Sequence, residues 1–93
     1  MQILRERVPG LARLLPLQRV VLFGSWATGK ATAFSDIDLL VIYADPPRAD
    51  AYALVWRSVD LRGLQPHVYT ENEAAQHTST LDRMTKGGIT LFP

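Results

Sequence analysis

The sequence predicts an α/β (α+β) protein: a small mixed sheet of about four strands with helices packed on it. Three observations support this. Short runs of β-branched and aromatic residues alternate with segments of helical periodicity, and glycines or prolines close most of these segments. In addition, 47% of the 93 residues are hydrophobic, enough for one small core. A chain of this length is expected to form one domain over residues 1–93.

The first half of the chain is expected to contain a helix and two strands. Leucine and valine recur at helical spacing over residues 2–15, and Pro9 predicts either a kink or a second helix start within this segment. The run RVVLF, residues 19–23, predicts a buried strand that ends in a tight turn at Gly24. One helical turn and a loop are expected next, followed by a strand over DIDLLVIY, residues 36–43.

The second half is expected to continue the alternation. Apolar spacing after a proline pair predicts a helix over residues 47–62. The run QPHVYT, residues 65–70, predicts a short strand whose final threonine forms a capping box with Glu73 and opens a helix over residues 71–86. After two glycines, ITLF at residues 89–92 predicts the last strand.

Composition excludes several function classes. Ten Lys and Arg against nine Asp and Glu give a formal charge of +1, which provides no evidence for nucleic-acid binding. The chain has no cysteine, so disulfides and thiolate metal sites are excluded. No apolar run is long enough for a membrane span or a signal peptide, so we expect a cytoplasmic protein. The sequence leaves homo-oligomerisation open.

Four large aromatic residues stand out in so short a chain: Trp26, Phe34, Tyr52 and Trp56. Most are expected in the core, because each buries a large apolar area. Any that remain exposed would mark a surface for a partner, and Trp26 could lie near a bound base or acceptor.

The segment LFGSWATGKATAFSDIDLLV, residues 22–41, contains a near match to a P-loop. Gly24, four residues, and then Gly29 and Lys30 reproduce most of that motif, but Ala31 stands where a magnesium-binding Ser or Thr is required. A P-loop also opens a long helix, whereas a second predicted strand follows within a few residues. The match is therefore interpreted as coincidence.

Two aspartates in the same segment predict a metal site. Asp36 and Asp38 alternate along a predicted strand, so their side chains share a face with Cα atoms about 6.5 to 7 Å apart. A solvated strand end would also explain such a pair. If the two strands are neighbours, however, Gly24 and Ser25 lie beside the carboxylates and offer a hydroxyl and helix amides to phosphate oxygens. Because Mg²⁺ binds one or two carboxylates and substrate phosphates, a metal-triphosphate site is predicted.

The string GSWATGKATAFSDIDLLV resembles the signature of the minimal nucleotidyltransferases (MNT), members of the DNA polymerase β-like superfamily. The pattern is Gly-Ser, a Gly four residues after that Ser, and then Ser-Asp-x-Asp. The resemblance implies a small mixed sheet backed by helices, and transfer of a nucleoside monophosphate to a hydroxyl acceptor. Single-domain members resemble antitoxins that act on a small helical toxin of the HEPN type.

The resemblance also implies roles for individual residues. Asp36 and Asp38 would be the catalytic metal ligands, for Mg²⁺ or Mn²⁺. Gly24 and Ser25 would hold the β- and γ-phosphates of a nucleoside triphosphate, with ATP the expected donor. A HEPN-type partner protein would be the acceptor, as in a toxin-antitoxin pair.

Two positions depart from the family pattern. The third carboxylate, expected on the next strand, is aligned with Gln65, which carries no charge and cannot act as a base. Asp60 or Glu71 would replace it if the alignment is shifted, and His67 is expected at the rim of the site. Thr28 stands where many relatives carry an arginine. The alternative function is therefore a catalytically impaired binding module that neutralises a partner by contact.

Overall fold

A four-stranded sheet forms the centre of the structure, a computed structural model that describes residues 2–93. The elements are α1 (Gln2–Ala12), β1 (Leu17–Phe23), α2 (Ser25–Thr28), β2 (Ile37–Tyr43), α3 (Ala51–Val59), β3 (Leu64–Thr70), α4 (Glu71–Ala75), α5 (Thr78–Met84) and β4 (Ile89–Phe92). The strand order is β3-β2-β1-β4. Strand β1 is antiparallel to β2 and β4, whereas β2 and β3 are parallel. The predicted small mixed sheet is confirmed.

Helices α1 and α3 cover one face of the sheet. Their buried side chains and those of the strands form the larger core cluster, which includes Leu4, Val8, Leu11, Val20, Leu22, Leu39, Val41, Val55, Val59 and Leu64. The guanidinium of Arg7 in α1 donates hydrogen bonds to the carbonyls of Val59 and Asp60 at the end of α3. These bonds satisfy carbonyls that a helix C-terminus leaves without intrahelical partners.

Helices α4 and α5 cover the other face. A smaller cluster there joins Leu81 of α5 to alternate residues of the two central strands: Val21, Phe23, Leu40 and Ile42. The central strands are therefore buried on both faces, which explains their nearly continuous apolar sequence.

Helix α1 differs from the prediction over residues 2–15. It runs through Pro9 without a second start and ends at Ala12. Pro9 is exposed and removes a single backbone donor, whereas Leu4, Val8 and Leu11 on the buried side hold the helix against the sheet.

The other helix boundaries were also predicted too long. Helix α3 spans Ala51–Val59 rather than 47–62, because Asp60 adopts a left-handed conformation (φ 47°) that ends it. The segment 71–86 forms two helices, and the hydroxyl of Thr78 at the start of the second donates to the carbonyl of Ala75. Within residues 2–93, no helix is long and apolar enough to cross a membrane.

The prediction that most large aromatics are buried is wrong. Phe34 is 96% exposed, Tyr52 51% and Trp56 37%, and Trp26 is partly buried. Leucine, isoleucine and valine fill most of the core instead. Tyr52 and Trp56 lie one turn apart on α3 in an edge-to-face arrangement, with ring centroids separated by 6.4 Å.

Candidate active site

The end of β1 and the start of β2 are adjacent. Phe23, the last residue of β1, is paired with Asp38 in the antiparallel register. The turn at Gly24 therefore lies beside the first residues of β2, as predicted if the two strands are neighbours. The pairing brings the two halves of the segment 22–41 to one end of the sheet.

The backbone of Gly24 is packed against the carboxylate of Asp38. Gly24 has φ 75° and ψ −151°, a conformation essentially restricted to glycine. A Cβ atom at this position would overlap with Oδ2 of Asp38. Both the conformation and the close approach therefore require glycine here.

Helix α2 is a single turn that begins directly after Gly24. The first amides of a helix have no intrahelical acceptor, so those at Ser25 and Trp26 can donate to a ligand. Gly29 ends the turn in a left-handed conformation (φ 76°). The long helix of a P-loop is absent from this segment, consistent with the rejection of that motif. The hydroxyl of Thr28, one of the two departures from the family pattern, donates to the Gly24 carbonyl over 3.3 Å.

The loop before the aspartates is held by its own hydrogen bonds. The Oγ of Ser35 accepts from the amide of Thr32 at 2.9 Å, and the Ser35 amide donates to the Thr32 carbonyl at 3.1 Å. The indole Nε1 of Trp26 donates to the Ser35 carbonyl at 3.5 Å, which links α2 to this loop. The next residue, Asp36, is exposed and lies just before β2 rather than within it.

Strand β3 presents two polar side chains toward the same face as Asp38. Gln65 is the register partner of Asp38, as expected for the third-strand position, but its side chain is exposed. His67, two residues further along, places Nε2 3.7 Å from Oδ1 of Asp38. Its ring also packs on Phe23, with centroids 5.2 Å apart. The sequence suggested only a place at the rim for His67. Its spacing of two from Gln65 signalled a shared face but not this contact.

Among the described residues, no third carboxylate joins Asp36 and Asp38. Within residues 2–93, no group of three or more His, Cys, Asp and Glu side chains is close enough to hold a metal ion. Glu71 follows the far end of β3, and Asp60 lies at the end of α3. The suggestion that either replaces the third carboxylate is therefore wrong.

The donors present still fit a divalent cation of the kind that accompanies a nucleoside triphosphate. Mg²⁺ is commonly bound by one or two carboxylates and completes its coordination with water and phosphate oxygens. Asp36 is exposed and the side chain of Asp38 is 31% exposed, so both carboxylates are accessible. Two oxygen-bearing side chains beside free helix amides meet this requirement.

Two clefts flank the sheet. One, of about 330 Å³, lies beside the loop before β2 and is lined by residues that include Trp26, Phe34 and Arg62 but by neither Asp36 nor Asp38. The other, of about 370 Å³, lies between the sheet and helices α4 and α5, with Arg19 and Glu71 in its lining. Of these two clefts, the one lined by Trp26 lies at the end of the sheet where Gly24 and Asp38 meet.

A Gly-Ser turn at the end of β1 packs against Asp38 of β2 on a small mixed sheet, an arrangement suited to a nucleotide-transferring domain. The family model for the nucleotidyltransferase domain matches residues 3–87, and the chain belongs to this family. A search of curated protein sequences gives no significant match.

Solved structures with the same fold include toxin-antitoxin complexes. A candidate nucleotidyltransferase from Sulfolobus solfataricus is 26% identical, with a TM-score of 0.64 over 96% of this chain and 76% of the other. A chain of a toxin-antitoxin structure with AMP-PNP is 24% identical, with a TM-score of 0.66 over 95% and 72%. A chain of the tri-AMPylated Shewanella oneidensis HEPN toxin in complex with MNT antitoxin is 22% identical, with a TM-score of 0.60 over 98% and 71%. The fold agrees with the resemblance to minimal nucleotidyltransferases.

Proposed function

We propose that this protein is a Mg²⁺-dependent nucleotidyltransferase that moves AMP from ATP to a hydroxyl of a partner protein. The observation that carries the proposal is the packing of Gly24 against Asp38, which brings the proposed phosphate-binding turn to the carboxylate of Asp38. Membership of the nucleotidyltransferase domain family supports the same reaction.

In the proposed reaction, the acceptor oxygen bonds to the α-phosphorus as the bond to the leaving pyrophosphate breaks, and the hydroxyl proton passes to solvent. The Ser25 hydroxyl and the α2 amides bind and orient the β- and γ-phosphates. Asp36 and Asp38 would hold the cation and fix its position relative to the α-phosphate. When bound, a divalent cation neutralises charge on the phosphates and stabilises the entering and leaving oxygens.

The partner we propose is a small helical HEPN-type protein, and the pair would act as toxin and antitoxin in the cytoplasm. Structural neighbours that are toxin-antitoxin complexes support this choice. The exposed aromatic rings of Phe34, Tyr52 and Trp56 provide apolar surface for such a partner.

The test is transfer from labelled ATP. The purified protein is incubated with a candidate helical partner and Mg²⁺, and the intact mass of the partner is measured. Addition of AMP is expected with the wild type and a loss of at least about 100-fold with Asp38→Asn, because positioning and electrostatics supply most of such catalysis. Asp82→Asn, an exposed carboxylate on α5, is the matched control. Equal transfer by wild type and Asp38→Asn would disprove the proposal.

The second candidate function is a binding module that neutralises its partner by contact. The observation that favours it is the lack of a carboxylate on β3, where Gln65 and His67 face Asp38. It predicts that Asp36→Ala and Asp38→Ala still bind and inhibit the partner at wild-type strength. Loss of inhibition without loss of binding would eliminate it.

A further inference from the structure

A nearly fully exposed phenylalanine borders the cleft beside the loop before β2. Phe34 is 96% exposed, and the cleft has a volume of about 330 Å³. We call it the Phe34 cleft, and its apolar lining comes from Trp26, Ala33, Phe34 and Ile37. An aromatic ring exposed beside an apolar cleft is typical of a surface that a protein partner covers, because contact removes both from water.

Hydrogen bonds hold the walls of the Phe34 cleft in place. The Nε1 of Trp26 donates to the Ser35 carbonyl at 3.5 Å, which connects α2 to the loop before β2. The amide of Ile37 donates to the Gly63 carbonyl at 2.8 Å, which connects β2 to the segment before β3. A cleft that is already formed needs little ordering when a partner binds, so less of the interaction free energy is lost.

A single arginine gives the Phe34 cleft its charge. Within the described residues, Arg62 is the only charged residue that lines the cleft. Arg62 is exposed, and it forms no ion pair within residues 2–93. Because a guanidinium binds a carboxylate through paired N–H donors, the cleft is complementary to an apolar side chain that lies beside a carboxylate.

The Phe34 cleft and the carboxylate of Asp38 lie on opposite faces of one strand end. Ile37 belongs to the larger core cluster, and side chains alternate along a strand, so the side chain of Asp38 points to the other face. Neither Asp36 nor Asp38 lines the cleft, whereas Ser35 and Ile37, the two neighbours of Asp36, do. A partner in the cleft therefore lies next to the proposed site and leaves its carboxylates accessible to a nucleotide.

We propose that the Phe34 cleft docks the partner protein that accepts the nucleotide, through an apolar side chain of the partner that lies beside a carboxylate. The apolar side chain packs against Trp26 and Phe34, and the carboxylate pairs with Arg62. The proposal rests on the proposed function, because it names the surface that holds the acceptor protein beside the site.

The first measurement needs no partner protein. Phenylpropionate, an aromatic ring with a carboxylate, is titrated into the isotope-labelled protein, and the indole N–H signals of Trp26 and Trp56 are followed by NMR. Only the Trp26 signal is expected to shift, with binding about threefold weaker or less in Arg62→Gln and for the neutral amide of the same compound. Arg83→Gln, an exposed arginine on α5, is the matched control and should bind as wild type. A Trp26 signal that does not shift, or equal binding by wild type and Arg62→Gln, overturns the proposal.

The second measurement uses the candidate helical partner of the transfer assay. Phe34→Ala is expected to raise the KM for the partner at least about tenfold, as loss of a central interface aromatic does. The KM for ATP should not change, because Phe34 lies outside the phosphate-binding turn. Leu14→Ala, which removes an apolar side chain that is also exposed, is the matched control. An unchanged KM for the partner in Phe34→Ala, or an equal rise in both variants, contradicts the docking role.

The third measurement identifies what occupies the cleft. A photoreactive benzophenone amino acid replaces Phe34, and it is expected to cross-link to the partner protein. Cross-linking to a second copy of this chain instead overturns the proposal. If the wild type transfers no AMP to the partner, the proposed function fails. Transfer that persists with an unchanged KM in Phe34→Ala is a distinct outcome, in which only the docking role fails.

Discussion

Gly24 and Asp38 are packed so closely that no side chain can be added to the glycine without displacing the carboxylate. The main chain of Gly24 also has a conformation that other residues rarely adopt. We expect Gly24→Ala to lower the free energy of unfolding by about 1 to 3 kcal/mol, mainly through backbone strain, because the carboxylate of Asp38 can move aside. It should also abolish Mg-ATP binding. Urea unfolding and calorimetry measure the two effects.

Gly29→Ala is the matched control for this prediction. Gly29 has nearly the same φ, 76°, but no atom lies within 4 Å of an added Cβ. Only left-handed backbone strain applies, so the expected loss is about 1 to 2 kcal/mol with nucleotide binding retained. Equal losses of nucleotide binding in Gly24→Ala and Gly29→Ala would show that binding does not depend on the contact between Gly24 and Asp38.

The indole of Trp26 links α2 to the loop before Asp36 through the Ser35 carbonyl. Trp26→Phe removes this long hydrogen bond and should cost about 0.5 kcal/mol, at the low end of the usual range. Because the bond restrains the position of Asp36 relative to the phosphate-binding turn, Mg-ATP affinity is expected to fall several-fold. Trp56→Phe on α3 is the control and should leave affinity unchanged. The prediction is wrong if both variants bind equally well.

Short sequence patterns correctly predicted the features that depend on a few neighbouring residues. The last strand lies at residues 89–92, as predicted, and the capping box at Thr70 and Glu73 is present with both hydrogen bonds. The adjacency of Gly24 and Asp38 followed from two neighbouring strand ends. These features depend on a few consecutive residues or on the simplest strand pairing.

What could not be predicted depends on sheet register and on which side of an element meets the core. The contact of His67 with Asp38 requires parallel pairing of β2 and β3 in one register, which no local pattern specifies. Phe34 is one of the large aromatic residues of which most were expected in the core, yet it is 96% exposed in the loop before β2. Helices α4 and α5 are separate, and Leu81 of α5 packs against the central strands, a tertiary contact that helical periodicity alone does not specify.

The capping box of α4 provides a stability test that is separate from the site. Thr70 accepts from the Glu73 amide at 3.1 Å, and the Glu73 carboxylate accepts from the Thr70 amide at 2.8 Å. Thr70→Val keeps the buried volume but removes the acceptor, so a loss of about 1 to 2 kcal/mol is expected. Thr78→Val, an exposed hydroxyl, should cost less than about 0.5 kcal/mol. Denaturant unfolding compares them, and equal losses would contradict the capping role.

Asp36 and Asp38 are expected to destabilise the protein when Mg-ATP is absent. They are also expected to be required for the stabilisation that Mg-ATP provides. Their like charges lie just before and just inside the start of β2, so Asp38→Asn should be at least as stable as wild type without cation. Mg-ATP at about 100 times its dissociation constant should stabilise the wild type by about 2.7 kcal/mol, because only the folded state binds it. The variant should gain almost nothing, whereas Asp82→Asn should gain as much as wild type. Thermal unfolding with and without Mg-ATP measures each gain. An equal gain in Asp38→Asn would mean that the nucleotide binds elsewhere, since a site built on this carboxylate cannot keep its affinity without it.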